Sequence, residues 1–501
     1  GHGGGGKTSL AEVMLFNTGA TNRIGRIEDG NTMLDFEPEE IRRQTTISSG
    51  IHQLMWNKAS ITLIDTPGDQ NFFSETRLCM QAADGFLVVV DAVDGIKVQT
   101  EKAWEFAAEF GRPCLIVINK LDRERASFQR ALEDIEKTID LKPVVLQLPI
   151  GKEAGFKGVV DLLRLKAFVY DKDGKGKTGE IPADMQDQVE SAREELIENI
   201  AEADDELLER YLEGETLDTE VLKAALRKGT FERQFVPVLC TAATVNIGID
   251  LLMSSVVDLL PEPADLPPME AVGPDGETPV ERKADPEEPF AAFVFKTIAD
   301  PYAGRLSVFR VVSGKLGGDG TFFNINKDVK ERYNQLLMMM GKEQKPLDSA
   351  EAGMIVAVAK LKETVTGDTL CDEKSKVTFN CAKPLPNLIS YAISPKSKGD
   401  EEKIYASLTR LLEEDPALKM DRNAETRQTL ISGMGQIHIE VAVDKLKRKF
   451  NVEVELSLPR VPYRETIKKR VRVQGKHKKQ TGGHGQYGDC WVEIEPRSRG
   501  E

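Results

Sequence analysis

Along the first half of the chain, apolar residues gather into short β-branched runs, separated by stretches in which they recur every three or four positions. The runs at 60–64, 85–90, 113–118 and 237–240 read as buried strands, and 101–110 and 251–259 carry helical spacing. This alternation predicts an α/β domain with a largely parallel sheet over 1–262. The gap between the strands ending at 118 and beginning at 237 far exceeds one crossover, so an inserted module is expected at about 145–235. Residues 261–289 then hold eight of the 24 prolines. Proline fixes φ and withholds a ladder donor, so 263–289 reads as a linker. Strand-like runs at 291–297, 306–312 and 354–359, broken by turns such as Ser313-Gly314 and Gly317-Gly318, predict a small β-barrel over 290–383. Residues 384–462 alternate strand and helix around 404–414 and 436–450, as a ferredoxin-like α+β domain does, and 463–501 begin a further α+β domain. The expected fold class is multidomain α/β.

Composition agrees with several cores. A chain of 501 residues is too long for one, since cores stop growing at roughly 250 to 300 residues. Its 40% hydrophobic and 30% charged residues are ordinary globular values. The apolar runs are far shorter than the roughly 18 residues a bilayer requires, so no membrane span is expected. The six cysteines show neither zinc nor disulfide spacing, which suits a reducing cytoplasm. The net charge of −15 speaks against a simple nucleic-acid binder until its distribution is read. Glu180 to Glu220 holds sixteen acids against two bases, whereas Arg464 to Arg499 holds ten bases against four acids. Faces of opposite sign therefore belong to different parts of the molecule.

Three motifs carry chemistry, each following or opening an element. Gly1-His2-Gly3-Gly4-Gly5-Gly6-Lys7-Thr8, with Ser9 behind it, matches a phosphate loop. Its glycines let backbone N–H groups converge on a phosphate at a helix N-terminus, Lys7 adds a cation, and Thr8 offers a hydroxyl to Mg²⁺. A strand normally feeds such a loop. Asp65-Thr66-Pro67-Gly68 follows an apolar run, so Asp65 is expected to hold Mg²⁺ through water while the Gly68 amide senses a γ-phosphate. Asn119-Lys120-Leu121-Asp122 follows another strand, and the Asp122 carboxylate can accept from guanine's ring N–H and exocyclic amine, for which adenine has no matching pair. Thr241, Ala242 and Ala243 are expected to close the base pocket through backbone amides. In this order the motifs predict a site for GTP or GDP with Mg²⁺, and Asp122 argues against ATP.

The same elements resemble those of translational GTPases, and nearly the whole chain is similar to the elongation factor G type. Arg43-Gln44-Thr45-Thr46-Ile47 resembles the family's Arg-Gly-Ile-Thr-Ile switch, which implies that Thr46 closes on Mg²⁺. Asp300-Pro301-Tyr302-Ala303-Gly304-Arg305-Leu306 resembles the opening of the second-domain barrel. Ser432-Gly433-Met434-Gly435-Gln436-Ile437-His438 resembles a third-domain stretch, and the segment from Gly475 to Gly488 resembles the start of the fourth domain. The resemblance implies a ribosome-binding, cytoplasmic, monomeric GTPase that promotes movement of tRNA and messenger RNA. Its basic end would meet ribosomal RNA, a reading that lysines interleaved with glycine and an aromatic support independently. Its acidic insert would touch the ribosomal stalk protein. Lys7, Gly68 and the residue after it would carry catalysis, but that residue is Asp69 where the family has histidine, and a carboxylate is repelled by the phosphates it would approach. Gly4 likewise replaces an acidic residue and Gln44 a glycine. Together these departures suggest a divergent branch, with a weakly hydrolysing GTP binder or a ribosome-protection or release-factor relative as the alternatives.

Overall fold

The computed structural model describes residues 1–171, 174–215, 217–300, 304–396, 401–463 and 465–498. The expected parallel sheet is present, in the order Phe86–Asp91, Cys114–Asn119, Phe235–Cys240, Lys142–Val145. All six residues of Cys114–Asn119 are buried, because a parallel strand covered on both faces has no side left for water. The run at 60–64 departs from its reading as a buried strand. Ala59–Asp65 pairs antiparallel with Gly50–Trp56 at the end of a different sheet, and only Asp65 in it is buried. No described strand pairs with its other edge. A cavity of about 460 Å³, lined by Met14, Ile61, Leu63, Leu87 and Val88, separates it from Phe86–Asp91.

Between Lys142–Val145 and Phe235–Cys240 lies a four-stranded antiparallel sheet (Gln147–Ile150, Gly158–Asp161, Lys166–Tyr170, Gly176–Gly179) with the helices Gln186–Ala201, Asp205–Leu212 and Thr219–Phe231. Val189, Leu196, Ile200, Leu207, Leu222 and Leu226 turn inward, which leaves the acidic side chains outside. The proline-rich segment holds a short hairpin, Met269–Val272 with Pro279–Arg282, in which Pro279 begins a strand where its missing N–H costs little. A barrel-like set of antiparallel strands follows, built around Ala291–Asp300, Gly304–Ser313 and Ile355–Ala359, with Phe322 stacked on Tyr333 at 5.4 Å. Of the motif at its opening, Pro301-Tyr302-Ala303 lies outside the described residues. The next unit runs strand, helix, two strands, helix, strand, in the sheet order Lys419–Arg422, Thr429–Gly433, Ile389–Pro395, Val454–Ser457, with helices Glu401–Glu414 and Gln436–Phe450. The hairpin Val471–Lys479 with Gln486–Ile494 is exposed throughout. Among the described residues no helix is long and apolar enough to cross a membrane.

Charged side chains pin the units together. Lys296 of the barrel, 4% exposed, donates to Ser48 Oγ at 2.7 Å and pairs with Glu75 of the helix Phe73–Met80. Arg310 holds Asp84 by two bonds of 3.0 and 2.6 Å, and Arg305 meets Glu413 at 2.8 Å. Removing one member of a buried pair leaves the other uncompensated. Lys296→Met is therefore expected to cost about 3 kcal/mol in chemical denaturation, and the double variant with Glu75→Gln should recover part of that loss.

Candidate nucleotide-binding site

The phosphate loop runs from the edge of the parallel sheet into the helix Lys7–Asn17. Gly6 has φ 89°, and a Cβ there would lie 2.5 Å from the Asn119 amide nitrogen, so the turn needs glycine. Gly68 packs against Lys7 and Gly3 with no room for a side chain, which brings the Asp65–Gly68 turn directly over the loop. Lys7 Nζ donates to the His2 carbonyl at 3.0 Å. Burial lowers its pKa, an effect opposed by Asp65 and Asp35. Ser9 is half-buried in the helix's first turn.

Oxygen donors converge beside this cation. Thr8 Oγ1 donates to Asp65 Oδ2 at 2.6 Å and lies 3.0 Å from Thr46 Oγ1, and Thr46 donates to Asp35 Oδ2 at 3.2 Å. Asp35 Oδ1 is buried and has no hydrogen-bond partner. Burial raises the Asp35 pKa to about 8, with Asp65 and then Glu40 adding to the rise, and burial also raises that of Asp65. Hard oxygen ligands, one of them orphaned, with surplus negative charge, fit a small divalent cation such as Mg²⁺. No motif pointed to Asp35; only the fold of the segment ahead of Thr46 brings it in. A second group, His2, Asp91 and Asp94, also clusters, but its carboxylates are engaged by Lys120 at 2.7 Å and Lys97 at 2.6 Å.

Asn119 ties the two ends of the pocket together. Its Nδ2 donates to the Gly5 carbonyl at 3.3 Å, and its Oδ1 accepts from Thr241 Oγ1 at 3.2 Å and from the Ala243 amide at 3.1 Å. The amides of Thr241, Ala242 and Ala243 are bonded within the protein, to Ile118 O, Ile247 O and Asn119 Oδ1, so these residues shape the pocket by bracing its walls. Lys120 sits at φ 67° with its ammonium on Asp91. Asp122 Oδ2 accepts from Thr244 Oγ1 at 2.9 Å, while Oδ1 is buried without a partner.

The segment bearing Thr46 is latched from two sides. The Glu40 carboxylate accepts from the amides of Glu37, Ile47 and Ser48, each at 3.0 Å, and so folds the turn around Gln44, whose φ is 52°. From the helix Gln436–Phe450, Arg448 reaches Glu39 with two 2.9 Å bonds and pairs with Glu37, while Arg43 meets Glu440 at 3.2 Å. Ile47, Phe72 and Val441 form an apolar contact between them. Asp69, in the position expected to orient water, accepts from the Asn71 backbone and side chain at 2.8 and 2.7 Å and so caps the turn Gln70–Phe72.

Fold and site together define a phosphate-loop protein for guanine nucleotides that carries a barrel and α+β units behind its nucleotide-binding unit. Comparison with known proteins agrees. The family model for the elongation factor Tu GTP-binding domain matches residues 1–262, and those for elongation factor G domain 2, domain III and domain IV match 289–373, 384–458 and 459–501. Elongation factor G of Ureaplasma parvum serovar 3 is 41% identical over 493 residues, which cover 98% of this chain and 72% of that protein, and elongation factor G of Ureaplasma urealyticum serovar 10 matches equally. A crystal structure from Thermus thermophilus superposes with a TM-score of 0.86 at 35% identity, covering 99% of this chain and 72% of that one. The chain belongs to the elongation factor G family of translational GTPases.

A carboxylic acid whose pKa is higher folded than unfolded binds its proton more tightly in the native state, so stability is greatest at low pH and is lost as pH rises. For Asp35 that window opens near the ordinary value of about 4 and closes near about 8. Nucleotide- and metal-free protein is therefore expected to lose stability across this interval in denaturant titrations, and Asp35→Asn to flatten the dependence.

Proposed function

We propose that this GTPase grips the phosphates of GTP and GDP with the backbone of Gly1, Gly3, Gly4, Gly5 and Gly6, the Lys7 ammonium, and the helix start at Thr8 and Ser9. Mg²⁺ is held by Thr8, Thr46 and, through water, Asp65, with Asp35 turned toward the same ion; when bound, the ion neutralises charge on the phosphates. Asn119 and Lys120 brace the pocket, Thr241, Ala242 and Ala243 form its wall, and Asp122 reads guanine. The observation that carries this reading is a pair of orphaned buried oxygens, Asp122 Oδ1 and Asp35 Oδ1, one in the base-binding motif and one beside the metal-ligand set. Each lacks the partner that a guanine edge and a dication would supply.

Gly68 meets the γ-phosphate through its amide, and Asp69 orients the attacking water as an acceptor once it leaves its cap on the turn. Hydrolysis then releases Thr46 and with it the latch to the helix Gln436–Phe450, which couples the nucleotide to movement of tRNA and messenger RNA on the ribosome. The exposed hairpin supports contact with ribosomal RNA: Arg472 lies 5.0 Å from the Trp491 ring and Lys476 5.9 Å from that of Tyr487, so cations and aromatic faces are presented together. The acidic helices of the insert face the stalk protein. A monomer working in the cytoplasm fits these roles.

Replacing Asp122 with Asn puts an amide donor where guanine presents donors. GTP affinity, measured by calorimetry, is expected to fall by about a hundredfold, with xanthosine triphosphate, whose 2-oxo group accepts, binding better than in the parent. Asp69→Ala is expected to lower ribosome-stimulated turnover by about tenfold or more while leaving GDP affinity nearly unchanged. Equal turnover in the two proteins would remove Asp69 from the catalytic role.

A further inference from the structure

A second, smaller cavity lies where the nucleotide-binding unit, the hairpin after it and the barrel meet. It measures about 40 Å³ and is lined by Asp84, Arg112, Arg282 and Arg310, with Met269 and Phe293 among its apolar walls. Three arginines thus line it together with Asp84. Arg310 commits two donors to Asp84, at 3.0 and 2.6 Å. The Arg282 side chain is 9% exposed. Its Nη2 donates to Ser375 Oγ at 2.6 Å and to the Ser375 carbonyl at 3.3 Å, its Nη1 stands 3.9 Å from Glu288, and its Nε is buried with no partner at all. The half-buried Arg112 side chain makes no hydrogen bond or ion pair among the described residues. Burial lowers its pKa, with Asp84 opposing and Arg310 reinforcing that shift.

Three arginines here face two carboxylates, Asp84 and Glu288, which leaves one cationic charge uncompensated and the Arg282 Nε without an acceptor. Water can satisfy a donor but cannot offset the excess cation. We propose that this junction is a binding site for a single tetrahedral oxyanion of the inorganic phosphate class. The volume suits one. A water needs about 10–15 Å³ on this measure, so the cavity of about 40 Å³ has room for about three to four waters and hence for a small anion. Planar guanidinium forks match the oxygen edges of such an anion better than they match a spherical halide. Asp84 and Arg112 belong to the nucleotide-binding unit, Arg282 to the hairpin and Arg310 to the barrel, so one bound anion would brace all three across their joint.

The test uses the full chain loaded with a non-hydrolysable GTP analogue and Mg²⁺, whose γ-phosphate fills the remaining oxyanion position, so that phosphate cannot report on the nucleotide site. Crystals grown with selenate are expected to show an anomalous peak between Arg112, Arg282 and Arg310. In solution at constant ionic strength, low-millimolar phosphate is expected to raise the melting temperature of the parent saturably, a response beyond the general stabilisation phosphate gives to any folded protein. Arg112→Met should weaken the phosphate response by at least about tenfold while keeping the parent's GDP affinity. Selenate found only elsewhere, or a variant that responds to phosphate as the parent does, would overturn the assignment.

Discussion

One lysine surrounded by more carboxylate than it can neutralise governs the nucleotide-binding unit. Lys7 is half-buried beside Asp65 and Asp35, with Glu40 close behind, and burial works against every charge in the group. A low-dielectric pocket does not tolerate uncompensated charge, so it either takes up protons or takes up a cation. Burial shifts the Asp35 and Asp65 pKa values upward, in the direction of the first solution, and the arrangement of hydroxyl and carboxylate oxygens suits the second. Glycine is required at Gly6 and Gly68, where the Asn119 side chain and the loop with Lys7 approach too closely for a Cβ.

The same constraint reaches beyond the pocket. Thr46 contributes its hydroxyl only while the segment from Glu37 to Ser48 is folded over the site, and Glu40 folds it by accepting three backbone amides. Arg448, Glu440 and Val441 of a distant unit then bind the outer face of that segment and of the turn at Phe72. One element thus touches the pocket on one side and the α+β unit on the other, which is the kind of arrangement a nucleotide-controlled switch requires.

The departures from the family pattern acquire definite positions. Gln44 adopts a left-handed conformation that glycine would enter without strain. Gly4 also has positive φ, at 83°, and a Cβ there would meet nothing. Asp69 is held by its own turn through Asn71, an acceptor role that histidine could fill only through a ring nitrogen free of its proton. These three substitutions alter local backbone freedom and charge at the site while leaving its framework of strands intact.

The order of units, the parallel sheet and the helix Gln436–Phe450 were legible in the sequence, because hydrophobic period and glycine or proline punctuation are local properties. So was the placement of the Gly1–Thr8, Asp65–Gly68 and Asn119–Asp122 motifs at a helix start and at strand ends, since each is a short consecutive run. The run at 60–64 misled because burial depends on what pairs with a strand's far edge, which its own residues do not encode. Asp35 was invisible for a related reason: it enters the site through a long loop with no fixed spacing to Thr8 or Asp65. Nor could spacing reveal that the amides of Thr241, Ala242 and Ala243 are engaged within the protein, that Arg448 latches the switch, or that three arginines from separate units meet at one cavity. Local chemistry is written in neighbouring residues, whereas charge balance, burial and occupancy of donors are sums over everything nearby, and only the folded chain brings those neighbours together.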